Sequence, residues 1–479
     1  MLFNSIHFLI FFPIVVLLYF SIPQKKRWFL LLAASYYFYM CWKMEYIFLI
    51  IASTLIDYFA GLRMEKVIRS KRIKYLLLSL AANLGLLFAF KYFNFFNGAA
   101  RAAFHHFNIV YHIPNLRVLL PVGISFYTFQ TLSYSIDVFR GERKAEHHFG
   151  IFALYVAFFP QLVAGPIERS TRLLPQFSEK HQFNYQRLID GFILMVWGFF
   201  KKIVIADRLA VVVNHVYNNV PDYNGISFLI ASYCFALQIY CDFSGYSDIA
   251  IGAAKIMGYD LMTNFDRPYF SKSISEFWKR WHISLSTWFR DYLYIPLGGN
   301  RVKKWHWYFN MMVVFLLSGL WHGANWTFLI WGGLHGFYLI LSILTTTLRK
   351  KFALIFFRNE NSVLSKIFKV VVTFHLVLFG WVFFRANSLA DAIYILKKIF
   401  LSFESNLLHY GLDRSQWYSA VLAVSLLILV HFAERKRSLS SIIRSQPAML
   451  RWGLCFLLTI GVVVLGYYDQ SLQFIYFQF

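Results

Sequence analysis

LSGLWHGANWTFLIWGGLHG, residues 317–336, decides how the chain is to be read. It is apolar almost throughout, yet it carries His322 near its middle. The apolar run Tyr308–Leu320 precedes this histidine and Thr327–Leu344 follows it. A helix that crosses a bilayer needs about 20 apolar residues, so the first run alone falls short. The polar break Trp321-His322-Gly323-Ala324-Asn325-Trp326 interrupts it. Backbone that leaves the helix at membrane depth survives only where protein buries it or where it lines a cavity. An ionisable side chain there is first read as functional. The competing reading is a histidine that merely hydrogen-bonds across helices. Charge favours the first. Arg301, Lys303 and Lys304 precede the segment, and Arg349, Lys350 and Lys351 follow it. Basic flanks of short spans favour the cytosolic side, so the chain enters the membrane and returns. His322 then sits near the turning point, where one group can serve substrates from both faces.

Composition agrees with a membrane protein. Hydrophobic residues make up 58% of 479 and aromatic residues 20%, which suits an all-α polytopic chain with wide lipid-facing and interfacial surfaces. Lys and Arg number 47 against 23 Asp and Glu. In a soluble chain that excess would suggest nucleic acid. Here positive-inside loops and anionic headgroups account for it. Cys41, Cys234, Cys241 and Cys455 lie in apolar surroundings and none forms a C-x-x-C pair. They read as packing residues, with no disulfide framework and no metal site expected. Met1–Pro23 lacks a basic leader and a small-residue cleavage site, and it reads as a retained helix.

Candidate spans are 5–22, 28–42, 45–62, 74–92, 117–137, 149–165, 187–206, 226–255, the broken pair 308–345, 366–385, 416–432 and 451–468. They amount to about 10–12 crossings. Gln24–Arg27, Arg63–Lys74, Arg140–Lys144 and Glu434–Arg444 are the basic loops assigned to the cytosol. They alternate correctly if Met1 lies outside and if 226–255 also enters and returns. The last span then delivers a tail, about 467–479, to the outer side. With no internal repeat and no soluble insert, residues 1–479 read as one membrane domain with its catalytic core at about 117–345. Pro121–Gln130, Phe159–Ile167 and Gln238–Asp248 carry polar groups that lipid would not tolerate. Together they argue for a polar interior.

Phe270–Asp291 has another character. Ser273-x-x-Glu276 is a capping-box signature. At ~100° per residue Phe277, Trp281, Leu285 and Trp288 share one face, with charged residues largely opposite. The pattern predicts an amphipathic helix in the cytosolic interface, with His282 at the border of its faces. Lys279, Arg280 and Arg290 suit lipid phosphates or the phosphates of a cofactor. His335 follows Gly332-Gly333 and reads as a packing group, and His375 as satisfied core.

Asn264-Phe265-Asp266-Arg267-Pro268-Tyr269, Glu276–Tyr292, Leu297-Gly298-Gly299-Asn300-Arg301 and Leu320-Trp321-His322-Gly323 together resemble the membrane-bound O-acyltransferase (MBOAT) family. The likeness is to its alginate and peptidoglycan O-acetylation branch. Phe159–Ile167 and Trp381-Val382-Phe383-Phe384-Arg385-Ala386 match as well, so the resemblance covers nearly the whole chain. Teichoic-acid D-alanylation proteins share the histidine segment but usually differ around Ile295–Arg301. The resemblance implies a ring of membrane helices around a central funnel or tunnel. It implies His322 as the catalytic histidine and His282 as its partner toward the cytosol. It also implies a bacterial inner membrane and a periplasmic partner of the SGNH-hydrolase type.

The expected reaction is transfer of an acetyl group from cytosolic acetyl-CoA toward an extracytoplasmic polysaccharide acceptor. His322 acts as general base. Asn325 or Trp326 donates to the oxyanion. Trp321, Asn264 and Asp291 support the site, and Asn264, Asp266 and Asp291 orient His282 or its helix. Tyr476 in the tail resembles the terminal tyrosine of small proteins that accompany D-alanylation, and it would carry the acyl group outward. The alternatives are D-alanyl transfer and a proton-coupled transporter or flippase that uses His322 as a relay.

Overall fold

The computed structural model describes residues 1–357, 359, 362–402, 410–435, 437–468 and 474–475, and every regular element among them is helical. The chain divides into two compact units, Met1–Met195 with Ile249–Met262, and Val196–Asp248 with Thr263–Phe479.

In the first unit α1 (Ile6–Ser21), α2 (Gln24–Met40), α3 (Ile47–Lys66), α4 (Arg69–Leu87) and α5 (Phe93–His106) precede α6 (Ile124–Arg140), α7 (Phe149–Ala157), α8 (Ser170–Ser178) and α9 (Tyr185–Phe199). The second unit holds α10 (Asp207–Tyr217) and most of α11 (Gly225–Met257), then α12 (Ile274–Arg280), α13 (Ile283–Phe289), α14 (Lys304–His322) and α15 (Trp326–Leu344). It ends with α16 (Thr346–Phe357), α17 (Val363–Arg385), α18 (Leu389–Leu401), α19 (Arg414–Ala433), α20 (Leu439–Arg444) and α21 (Ala448–Leu465).

Seven helical stretches among the described residues are long and apolar enough to cross a membrane. Others fall short of that criterion in length or apolarity. Helix α6 buries Thr128, Gln130, Thr131, Ser133, Ser135 and Asp137. By contrast α21 exposes Phe456, Leu457, Val463 and Val464, as a lipid-facing helix should. The protein is an all-α, multi-pass membrane protein.

One expected re-entrant segment is wrong and another takes its place. Residues 226–255 do not enter and return, because α11 is one uninterrupted helix of 33 residues. At ~1.5 Å per residue it is about 50 Å long and crosses outright. Its polar residues, which suggested a break, are satisfied in place: Lys202 pairs with Asp242 at 2.6 Å and Lys201 with Asp248 at 2.6 Å. Gly245 permits the close approach, since a Cβ there would lie 2.8 Å from the Gly198 carbonyl oxygen. The stretch 149–165 is the one that cannot span. Helix α7 has nine residues, about 13 Å, and gives way to turns over 159–165. This non-helical backbone is buried and bonded, with Phe159 N–H donating to Ser35 Oγ at 3.0 Å and Gln161 Nε2 to the Tyr155 carbonyl at 3.1 Å. One crossing replaces another, so the alternation of basic loops survives.

The hairpin α14–α15 has the expected shape. Its arms meet closely because Gly319 faces Gly332. A Cβ on Gly319 would lie 2.3 Å from the Phe328 carbonyl oxygen, and one on Gly332 would lie 2.2 Å from that of Phe315. Small residues at such contacts let membrane helices approach backbone to backbone. Two smaller expectations need correction. Cys41 is exposed rather than packed. His375 is also exposed, although satisfied by Tyr233 Oη at 2.7 Å and the Val371 carbonyl at 2.8 Å.

Candidate active site

Helix α14 ends at His322 and α15 begins at Trp326, where Asn325 Oδ1 caps the new helix by accepting from Thr327 N–H at 3.1 Å. The three-residue break leaves His322 buried at the hairpin tip. Rings enclose it: Trp321 and Trp331 each stand edge-on with centroids 4.9 Å away, and Phe384 at 5.4 Å. His335, two turns of backbone from Trp326, is also buried and accepts from Trp278 Nε1 at 3.3 Å.

The amphipathic helix expected over 270–291 is two short helices. Ser273 caps α12 by accepting from Glu276 N–H at 3.1 Å. The chain then breaks at Trp281-His282, and α13 starts afresh. His282 is the hinge of this break, with φ 43° and ψ 54°. Left-handed backbone is costly for a residue with a Cβ and persists only where its surroundings enforce it. The segment 264–266 does so. Ile283 N–H donates to the Asn264 carbonyl and Asp266 N–H to the Arg280 carbonyl, both at 2.9 Å. His282 is therefore fully buried rather than interfacial, because the break turns it away from the helix surface.

The bonds around Asn264 fix the chemistry of His282. Ser284 N–H points at Asn264 Oδ1 at 3.2 Å, and a backbone N–H can only donate. The atom facing it is thus the amide oxygen, which also accepts from Ser284 Oγ at 2.9 Å. Asn264 Nδ2 donates to Ser247 Oγ at 3.1 Å, which supports the same orientation. His282 Nδ1 lies 3.2 Å from that oxygen, so Nδ1 carries the hydrogen and Nε2 keeps the lone pair. Burial pushes the imidazole down to about 3, so the ring is neutral.

The two histidine rings lie 6.3 Å apart, with Trp321 against both, 5.7 Å from His282. Two cavities approach this pair. One of about 690 Å³ is lined by Lys279, Ile283, Thr287, Arg290, Trp307 and Ser318, toward the basic ends of the hairpin. The other, about 440 Å³, is polar and lies toward the hairpin tip, with Asn325, Phe328, Phe384, Arg385, Asp207 and Asp242 on its wall. Ile283 and Ser318 flank the histidines on one side, and Phe384 touches His322 on the other.

The remaining candidates scatter around this centre. Lys279 and Arg290 face the larger cavity, where two cations suit a polyanion. Arg280 pairs with Glu276 at 2.7 Å instead. Asp291 pairs with Arg290 at 2.7 Å. Trp326 is 54% exposed, whereas Asn325 lines the polar cavity. Tyr476 lies outside the described residues. Sequence reasoning missed Lys201, Lys202 and Asp207. Their signal was a lysine pair inside an apolar span, which the cost of burying charge in lipid should have flagged. A π-helical turn, Phe200–Ala206, carries both lysines. Such turns recur at functional sites.

The chain matches the membrane-bound O-acyltransferase (MBOAT) family over residues 29–384. It is 40% identical over 395 residues to the probable alginate O-acetylase AlgI of Pseudomonas aeruginosa, covering 82% of this chain and 73% of that one. It is 34% identical over 488 residues to the peptidoglycan O-acetyltransferase of Helicobacter pylori, covering 92% and 89%. It is 29% identical over 291 residues to the teichoic acid D-alanyltransferase of Bacillus subtilis, covering 58% and 71%.

Proposed function

The chain belongs to the membrane-bound O-acyltransferase family, and from that premise we propose that it moves an acetyl group from cytosolic acetyl-CoA to an acceptor on the outer side. One observation carries this reading. Two buried histidines lie 6.3 Å apart; Ile283, next to one of them, is on the wall of a cavity that also holds Lys279 and Arg290, and Phe384, packed on the other, is on the wall of a polar cavity.

Acetyl-CoA enters the larger cavity from the cytosol. Lys279 and Arg290 pair with its phosphates, and the thioester carbonyl reaches the histidines. An acceptor hydroxyl comes through the polar cavity. His322 removes its proton as the oxygen attacks the carbonyl carbon, the C–S bond breaks, and the CoA thiolate takes up the proton. His282, neutral and held by Asn264, presents the Nε2 lone pair beside this relay. Asn325 spends its oxygen on the helix cap, which leaves its amide N–H groups for the oxyanion. Water is excluded by the surrounding rings, so each of these interactions is stronger than it would be in solution.

The first acceptor in this reading is Tyr476. Its phenol takes the acetyl group and passes it to a periplasmic partner of the SGNH-hydrolase type, which acetylates an alginate-like polysaccharide or peptidoglycan. Covalent relay splits one difficult transfer into two. The membrane would be the bacterial inner membrane. Purified protein in nanodiscs, given acetyl-CoA and acceptor, should release free CoA thiol. A requirement for a D-alanyl carrier protein instead would overturn the donor assignment, and solute movement without thiol release would make the protein a transporter.

A further inference from the structure

The polar cavity has one more wall besides α10, α11, α17 and the hairpin tip: Ile475, from the far end of the chain. Its main-chain N–H donates to Asp242 Oδ2 at 2.8 Å, 233 residues away in sequence. The other oxygen of that carboxylate, Oδ1, accepts from Lys202 Nζ at 2.6 Å. Lys202 in turn pairs with Asp207 at 2.8 Å, so one buried ammonium serves two carboxylates. The neighbouring Phe474 closes the arrangement. Its ring covers the Lys202 ammonium at 4.3 Å and meets Tyr246 edge-on at 4.8 Å. Both Phe474 and Ile475 are buried. Two earlier contacts lead the chain there from the end of α21. Arg208 Nη2 donates to the Leu465 carbonyl at 2.6 Å, and Tyr467 N–H donates to the Ile203 carbonyl at 3.1 Å.

We propose that Asp242 is a receptor for the chain's own 474–475 segment. Lys202 holds its carboxylate in place so that the free edge captures the Ile475 N–H and seats the segment on the wall of the polar cavity. A carboxylate accepting from a main-chain N–H makes a charge-assisted bond, roughly twice as strong as a neutral one. If the segment left, a buried carboxylate oxygen would lose its donor, and an unmade bond at a charged group is the costly kind. The ion pair explains why a charge was placed inside an apolar span at all. Any acceptor using this cavity meets the seated segment. The inference is independent of acyl chemistry on Tyr476: a Tyr476→Phe variant with full activity would leave it standing.

Hydrogen–deuterium exchange with mass spectrometry, on full-length protein in nanodiscs, tests it through the peptides covering residues 466–479. Asp242→Ala removes the acceptor while leaving the Lys202–Asp207 pair. Ile475 amide exchange should accelerate about tenfold or more, the loss of one such bond. Asp207→Asn keeps the Asp242–Lys202 pair and should leave that amide close to wild type. Equal exchange in wild type and Asp242→Ala overturns the proposal, and so does the same acceleration in both variants, which would mark general loosening of the ion cluster. If Asp242→Ala exchanges faster in every helix, the similarly shaped Asp242→Leu, which has no acceptor, replaces it; a protected Ile475 amide in that variant also overturns the proposal.

Discussion

Asn264 holds His282 by one oxygen: its Oδ1 lies 3.2 Å from Nδ1 of the imidazole while accepting from both the backbone and the hydroxyl of Ser284. The amide cannot rotate without setting its N–H groups against a backbone donor. Asn264 therefore selects the tautomer of His282. Asn264→Ala should lower turnover by about 10–100-fold, with little change in the KM for acetyl-CoA, since it frees the imidazole beside the His322 relay to turn but leaves the general base itself, whose loss typically costs 10²–10⁴. Steady-state thiol release at several donor concentrations separates the two effects. A rise in KM with unchanged kcat would assign Asn264 to donor binding.

His322→Ala should abolish transfer, with a loss of about 10²–10⁴ in rate, while the protein remains inserted and monodisperse. His282→Ala should lose less, because His282 does not touch the acceptor in the proposed path. Size-exclusion profiles and thiol release on the same preparations check both. Near-normal turnover by a well-behaved His322→Ala variant would remove it from the chemistry.

Tyr476→Phe keeps the aromatic ring and deletes the hydroxyl. Polysaccharide acetylation should stop although insertion is normal, and mass spectrometry of trapped wild type should find acetyl on the terminal peptide. Full acetylation by the variant would mean that the acceptor approaches His322 directly.

The neutral state of His282 has a consequence for acid stability. Its folded value is pushed down to about 3 by burial, below the unfolded value of 6.5. Above 6.5 neither state is protonated and the group makes stability independent of pH. As the pH falls from 6.5 toward 3 the unfolded chain gains a proton that the folded chain refuses, so stability declines, by at most about 1.4 kcal/mol per pH unit. Thermal unfolding in nanodiscs between pH 4.5 and 8 should show a decline of this sign, and His282→Asn should make it shallower. Identical curves for the two proteins would show that His282 is not held neutral.

Gly319→Ala and Gly332→Ala should each cost about 1–3 kcal/mol of stability and most of the activity, because the added Cβ meets backbone oxygen rather than a movable side chain. Gly85→Ala and Gly453→Ala meet nothing within 4 Å and should be neutral or slightly stabilising. Melting temperatures of the four variants decide the matter. Equal stability in both pairs would mean that the hairpin arms are not tightly apposed.

Much of this was legible in the residues. The hairpin was visible because a polar hexapeptide interrupted two apolar runs with basic flanks on one side. His282 was visible as a residue but not as a buried one. Helical periodicity carried the eye straight through Trp281-His282, and the break there depends on pairing with residues 264–266, which no local pattern reports. The re-entrant stretch was misplaced for a related reason. Asp242 and Asp248 looked intolerable in a helix because their partners, Lys202 and Lys201, lie 40 and 47 residues earlier in sequence. Phe159–Ile167, with two prolines, had the composition of a break but was counted inside a span.

The rings around His322 also bear on the electrical integrity of the membrane. Trp321, Trp331 and Phe384 are buried and packed edge to face on the imidazole. In the proposed reaction the acetyl group passes from thioester to acceptor hydroxyl beside this imidazole, with no water-filled path needed for hydrated ions. On that reading the work of export comes from the thioester itself. No gradient need be spent, and vesicles filled with the protein should hold a proton-motive force as well during turnover as at rest.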